Sequence, residues 1–231
     1  TDKEKRERYV KHLYKKLQRE GQLERDVDRL VRNDRIAWGA SMIACKDADA
    51  MVTGNIRHYA ASIEKLKKVT EPRPGEEIFG MTMITLKGKT ILVADTNVQD
   101  FPSPKRLVKV SKSCVRVARL FGFDPKVAFL SHSTFGKPIS KNTKHVRDAI
   151  EILKNEKVDF DFDGEMQPDV ALNPIYQEIY PFSKIVGNAN ILIMPALHSA
   201  AISTKLMKVF GGGKLIGPLL IGLGSPIEVA P

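Results

Sequence analysis

The sequence predicts an α/β protein. Short apolar runs fit buried strands, and helical stretches of ten to fifteen residues alternate with them, roughly the spacing of βαβ units. The composition, 42% hydrophobic and 28% charged, is that of an ordinary globular chain. Strands so short and apolar suit a mostly parallel sheet covered on both faces. No internal repeat or low-complexity segment is visible.

The elements follow in order. Tyr9, Leu13 and Leu17 recur every four residues in a polar background, so the chain opens as a helix with one apolar stripe, ended by Gly21. Val27, Leu30 and Val31 mark a second short helix. Residues 49–54, Asp-Ala-Met-Val-Thr-Gly, read as a buried strand leading into a loop, and Trp38 reads as core. The texture changes at Pro72-Arg73-Pro74, which marks a boundary. Met81–Leu86 and Ile91–Ala94, joined by Lys87-Gly88-Lys89-Thr90, form a β-hairpin. Leu107, Val110, Cys114, Val117 and Phe121 step by three and four along an amphipathic helix. Then come strand Val127–Leu130, a helix marked by Val146, Ala149, Ile150 and Leu153, and a weak strand over Val158–Phe162. Strand Ile191–Met194 and helix Ser203–Val209 precede the glycines at 211–213.

Composition excludes several function classes. The longest apolar run, Leu215–Leu223, falls well short of the ~20 residues that span a bilayer, and a proline and two glycines interrupt it. The N-terminal Thr-Asp-Lys-Glu-Lys-Arg has no apolar core of a signal peptide. Cys45 and Cys114 lack any pairing pattern, so reduced thiols and a cytoplasmic location are expected. The net charge of +10 admits nucleic acid, acidic lipid or a phosphorylated small molecule as partner. Its runs mix signs, and its lysines and arginines are not interleaved with aromatics, so no nucleic acid and no membrane partner is expected.

In open α/β sheets, ligands bind beyond the carboxyl ends of the strands, so the polar residues there are the candidates. After Val127–Leu130 comes Ser131-His132-Ser133-Thr134-Phe135-Gly136-Lys137. Its hydroxyls, backbone donors and lysine suit a phosphate or carboxylate, or else form a helix cap and turn. Asn55-Ile56-Arg57-His58-Tyr59 offers a cation, an imidazole and a phenol after the strand ending near Gly54. Asp95-Thr96-Asn97 would bind a ligand or cap a turn. Asp163-Gly164-Glu165 would do acid–base work or form a structural turn after a strand. Nucleotide-binding glycine loops and hydrolase motifs are absent, and the five histidines lack the spacing of a metal site.

Five segments resemble the phosphate acetyltransferase family. They are Ala94–Val98, Val127–Ser133, Asp163–Met166, Gly187–Pro195, and Gly217-Pro218 through Gly222 to Pro226. Ser-His-Ser at 131–133, Asp-Gly-Glu-Met at 163–166, the Arg8-Tyr9 helix and Asp47–Met51 are closer to one branch. That branch is the acetyltransferase-like C-terminal domain of hybrid, multidomain NADP-dependent malic enzymes. The resemblance implies two α/β subdomains of the isocitrate/isopropylmalate dehydrogenase-like type, with a cleft between them, dimeric in the family. On that map residues 1–75 form a partial first subdomain, 76–209 the second, and 210–231 return to the first, with the chain starting and stopping inside the family's domain.

Departures from the family's pattern carry the functional expectation. The family's Ser-Arg pair has no counterpart, and Pro231 falls where the serine is expected. An ungapped count from Gly54 puts Glu64 where active enzymes carry an arginine, and Ala196–Ala201 replaces Asp-Leu-Asp-Ala-Gly-Asn. Losing one group that stabilises the developing charge costs about 10²–10³ in rate. No catalytic residue is therefore expected. The resemblance implies a regulatory and oligomerisation domain that binds acetyl-CoA as an allosteric effector. NADP, a divalent metal and the oxidation of malate to pyruvate would belong to a malic enzyme domain of the same polypeptide. Asn55, Arg57, His58 and Tyr59, with Ser131, Ser133, Thr134 and Lys137, are the expected contacts, and Lys205 and Lys208 are further phosphate candidates. An active phosphate acetyltransferase whose catalytic segment lies beyond this chain, and a purely structural dimerisation domain, are the alternatives.

Overall fold

The structure, a computed structural model, describes residues 2–55, 58–95, 98, 100–138 and 140–230. The chain begins with α1 (Lys3–Leu17), α2 (Glu24–Asn33), α3 (Arg35–Ala44), β1 (Met51–Gly54) and α4 (Tyr59–Val69). It continues with β2 (Phe79–Leu86), β3 (Lys89–Ala94), α5 (Pro104–Leu120), β4 (Lys126–Leu130), α6 (Lys144–Glu156) and β5 (Asp161–Met166). After these come α7 (Pro168–Leu172), α8 (Pro174–Gln177), β6 (Ile191–Ile193), α9 (Leu197–Gly211), β7 (Lys214–Ile221) and β8 (Ile227–Ala230). Residues 1–74 with 222–231 form one unit and residues 75–221 a second.

In the first unit, Asp2 caps α1, and Tyr9, Leu13 and Leu17 are buried along one stripe. Gly21 ends this segment with φ +80°, the left-handed conformation that costs glycine least. The sequence reading has no counterpart of α3, whose Ala- and Gly-rich run shows no stripe. Its start is fixed by Asp34, whose Oδ1 accepts from the Ile36 and Ala37 amides at 2.9 and 3.1 Å. Trp38, expected in the core, is half-buried and packs edge-on against Tyr9. The run expected as a buried strand is β1, yet Val52 is 77% exposed, because β1 is paired only with β8 among the described strands. That pairing is parallel and brings Gly54 so close to Ala230 that a Cβ would lie 2.0 Å from its carbonyl oxygen.

The second unit is a six-stranded sheet in the order β5-β4-β6-β3-β2-β7. The β5/β4, β4/β6 and β6/β3 pairs are parallel, and the β2/β3 hairpin and β2/β7 are antiparallel. Side chains alternate between faces, as the two-residue strand period requires. Leu92, Val127, Phe129, Ile191 and Ile193 pack against α5 and α6 on one face. Val93, Ala128, Leu130, Leu192 and Met194 pack against α7 and α9 on the other.

Two boundaries differ from the sequence reading. The chain returns to the first unit at residue 222 rather than 210, because β7 pairs along β2 from Lys214 to Ile221. Asp163-Gly164-Glu165 lies inside β5, not in a turn after a strand over 158–162. Three acidic residues in six disguise that strand; burial of Phe162 and Met166 and pairing with β4 define it. Among the described residues, no helix is long and apolar enough to cross a membrane.

Candidate functional site

The connections around β4 and β6 create the site. From β4 the chain leaves through α6 toward β5; from β6 it leaves through α9, on the opposite face, toward β7. Neighbouring strands whose connections diverge leave a crevice beyond their carboxyl ends. A cavity of about 910 Å³ lies there. Phe101 and Pro102 line it from beyond β3, Ser131 and His132 from beyond β4, and Pro195, His198 and Ser199 from beyond β6. Lys141, Lys144, His145 and Asp148 complete the wall from the start of α6 and the turn before it.

This wall carries net positive charge: two lysines, Lys141 and Lys144, outnumber one carboxylate, Asp148, and three imidazoles add hydrogen-bonding nitrogens. The His145 Nε2–H donates to the Pro195 carbonyl at 3.0 Å, which ties α6 to the end of β6. His198 lies against the Phe101 ring, 5.7 Å between centroids. The amino end of α9 opens at the same place, so its backbone dipole adds to the positive potential. Such a wall attracts phosphate or carboxylate groups.

The Ser131–Lys137 loop is held from beneath by Glu165, which is 1% exposed. Glu165 Oε1 accepts from Ser133 Oγ at 3.0 Å, from the Gly136 amide at 3.0 Å and from Arg147 Nη1 at 3.1 Å. The Glu165 carbonyl accepts from the Phe135 amide at 2.7 Å. Arg147 is itself held by Thr143 Oγ1 at 2.7 Å and the Ser140 carbonyl at 3.2 Å. Gly164 makes the approach possible: its φ is +146°, and a Cβ there would lie 2.6 Å from the Phe129 carbonyl oxygen. Asp163 accepts from its own following amide and from the Lys184 amide at 2.7 Å. Both carboxylates of this motif therefore organise loops, and the acid–base reading of the pair is set aside.

Asp95 has the same kind of role. Its Oδ1 accepts from the Gly80 amide at 3.0 Å and its Oδ2 from Arg106 Nη2 at 3.2 Å, pinning the start of the loop after β3. Thr96 and Asn97 lie outside the described residues.

Of the expected contacts among the described residues, only Ser131 lines the cavity. Ser133 is fully buried and its hydroxyl donates a hydrogen bond to Glu165, so it positions the loop instead of facing a ligand. Thr134 accepts from the Gln167 amide at 3.2 Å. Lys137 is exposed, and its backbone closes a tight turn with Thr134. Asn55, His58 and Tyr59 belong to the first unit, around the end of β1 and the start of α4; Arg57 and Pro231 lie outside the described residues. Glu64 is exposed on α4. Lys205 and Lys208 are exposed on α9, two to three turns from its amino end, and neither lines the cavity. Lys141, Lys144, His145 and His198 were not expected. His198 sits in the first turn of α9, with four residues between it and the end of β6, so the rule that selects Ser131, directly after its strand, passes it over.

The model of the family described as phosphate acetyl/butaryl transferase matches residues 1–230. An NADP-dependent malic enzyme of Rhizobium meliloti is 45% identical over 222 residues, covering 96% of this chain and 29% of that protein. A probable NADP-dependent malic enzyme of Rickettsia prowazekii is 37% identical over 235 residues, covering 97% of this chain and 31% of that protein. The chain thus spans about 30% of the length of these relatives. A phosphotransacetylase structure from Streptococcus pyogenes superposes with a TM-score of 0.88 at 28% identity, covering 96% of this chain and 69% of the other.

Proposed function

We propose that this chain, which belongs to the phosphate acetyl/butaryl transferase family, is a catalytically silent regulatory and oligomerisation domain of a cytoplasmic malic enzyme. In this reading it binds acetyl-CoA as effector, and a separate domain of the same polypeptide oxidises malate with NADP and a divalent metal. The observation that carries the binding is the cationic cavity at the β4/β6 switch point. Lys141 and Lys144 match the phosphates of a coenzyme A thioester, and about 910 Å³ is at the upper end of what a bound small molecule fills.

The malic enzymes among its relatives support the assignment to a larger polypeptide. Silence is supported by the structural use of the carboxylates: Asp163, Glu165 and Asp95 are all engaged as loop anchors. Regulation then follows only if acetyl-CoA binds two states of the whole enzyme unequally.

Self-association is supported by α9. Ile202, Leu206, Val209 and Phe210 recur at i, i+4, i+7 and i+8 and are exposed, Phe210 by 85%. A contiguous apolar face of this kind marks an interaction site.

The likeness to a solved phosphotransacetylase favours a second reading, an active phosphate acetyltransferase. Calorimetric titration with acetyl-CoA, paired with an acetyl phosphate turnover assay, decides between them. Binding without turnover is the expected result. Turnover would establish the transferase, and absence of both would leave a structural domain.

A further inference from the structure

We infer that the second unit holds another ligand site, for an amphipathic monocarboxylate, at the end of the sheet opposite the cationic cavity. This inference is independent of the acetyl-CoA reading. A cavity of about 440 Å³ lies where β2 turns into β3 and where β6 begins. Ile84, Leu86, Ile91, Phe123, Leu172 and Met207 form its apolar walls. Cavities of this size, apolar with a few convergent polar groups, are the usual form of small-molecule sites.

The charged groups of the lining set the ligand's charge. Lys87 and Lys89 both line the cavity and are both exposed at the hairpin. Among the described residues, no carboxylate pairs with either ammonium, whereas the lysines along α5 at 109 and 112 pair with Glu77 and Glu156. With its amide oriented to satisfy both neighbours, Asn188 donates to the Leu172 carbonyl at 2.6 Å and accepts from Lys89 Nζ at 2.9 Å. Lys89 is thus held at the rim by a neutral partner, its charge uncompensated. A carboxylate head at Lys87 and Lys89, with a hydrocarbon tail against Phe123, Leu172 and Met207, satisfies both halves of the cavity.

The test is calorimetric titration of the chain with octanoate, hexanoate, acetate and octanol. Each buried methylene is worth about fourfold in affinity, so hexanoate should bind about fifteenfold more weakly than octanoate, and acetate not at all. Lys89→Glu, at an exposed position, should weaken octanoate at least tenfold and leave octanol unchanged. Met207→Trp, which fills the cavity, should abolish both. Octanoate should bind equally in the presence of saturating acetyl-CoA. No saturable octanoate binding at millimolar concentration, binding indifferent to Lys89→Glu, or displacement by acetyl-CoA would each overturn the site.

Discussion

Replacing Glu165 tests whether the Ser131–Lys137 loop is held from beneath. Glu165→Ala removes the acceptor of the Gly136 amide, of Ser133 Oγ and of Arg147 Nη1. A stranded buried donor costs about 1–3 kcal/mol, and the half-buried Gly136 amide takes the lower part of that range, about 1–2 kcal/mol. Ser133 loses less, since its hydroxyl lies 3.3 Å from Ser131 Oγ and can rotate toward it. Breaking a buried ion pair costs about 3–5 kcal/mol, but the Arg147 side chain is 34% exposed and keeps two other partners, so about 1–2 kcal/mol is the share here. With a smaller share from Ser133, the total is about 2–4 kcal/mol. Glu165→Gln keeps an acceptor oxygen and loses only the charge, for about 1–2 kcal/mol. Urea denaturation followed by circular dichroism reads both variants, and at roughly 2 kcal/mol per molar urea the Ala midpoint should fall by about 1–2 M. A loss below about 1 kcal/mol in Glu165→Ala, or equal losses in the two variants, would refute the anchoring role.

Other outcomes follow from the same structure. Gly164→Ala places a methyl 2.6 Å from the Phe129 carbonyl oxygen at a φ of +146°, so it should cost more than about 2 kcal/mol; an unchanged urea midpoint would contradict this. Lys141→Glu with Lys144→Glu should weaken acetyl-CoA at least tenfold with the melting temperature unchanged, by calorimetry on folded protein. Burial, with the hydrogen bond to Asp47 second, pushes the Tyr9 hydroxyl up to about 12 from an ordinary value near 10. The folded state therefore keeps a proton that the unfolded chain releases, so stability is full below about pH 10 and falls toward pH 12. Tyr9→Phe should flatten that alkaline loss in pH-dependent melting. Phe210→Asp with Leu206→Glu on α9 should convert a homo-oligomer to monomer in sedimentation velocity, and an unchanged assembly would place the interface elsewhere.

The sequence by itself determined the elements whose burial is regular. Tyr9, Leu13 and Leu17 on α1, and Leu107 through Val117 on α5, repeat at the helical period, because one face of each helix meets a core. The strands β4 and β6 were legible as unbroken apolar runs because helices cover both faces of that sheet. The site's general place was legible too, since a strand's carboxyl end is fixed once the strand is.

Only the tertiary structure decided the rest. The strand β5 carries Asp161, Asp163 and Glu165, and reads as a turn until the Lys184 amide and Arg147 are seen to satisfy its inner carboxylates. Nothing local to Lys214–Ile221 says that it pairs with β2 and so delays the return to the first unit. Ser131 and Ser133 are chemically alike and two residues apart. One lines the cavity and the other is buried on Glu165, because the loop turns over a carboxylate thirty-two positions away in sequence. Local sequence sets which residues prefer which conformation, while the partner that satisfies a buried polar group is chosen by packing between distant segments.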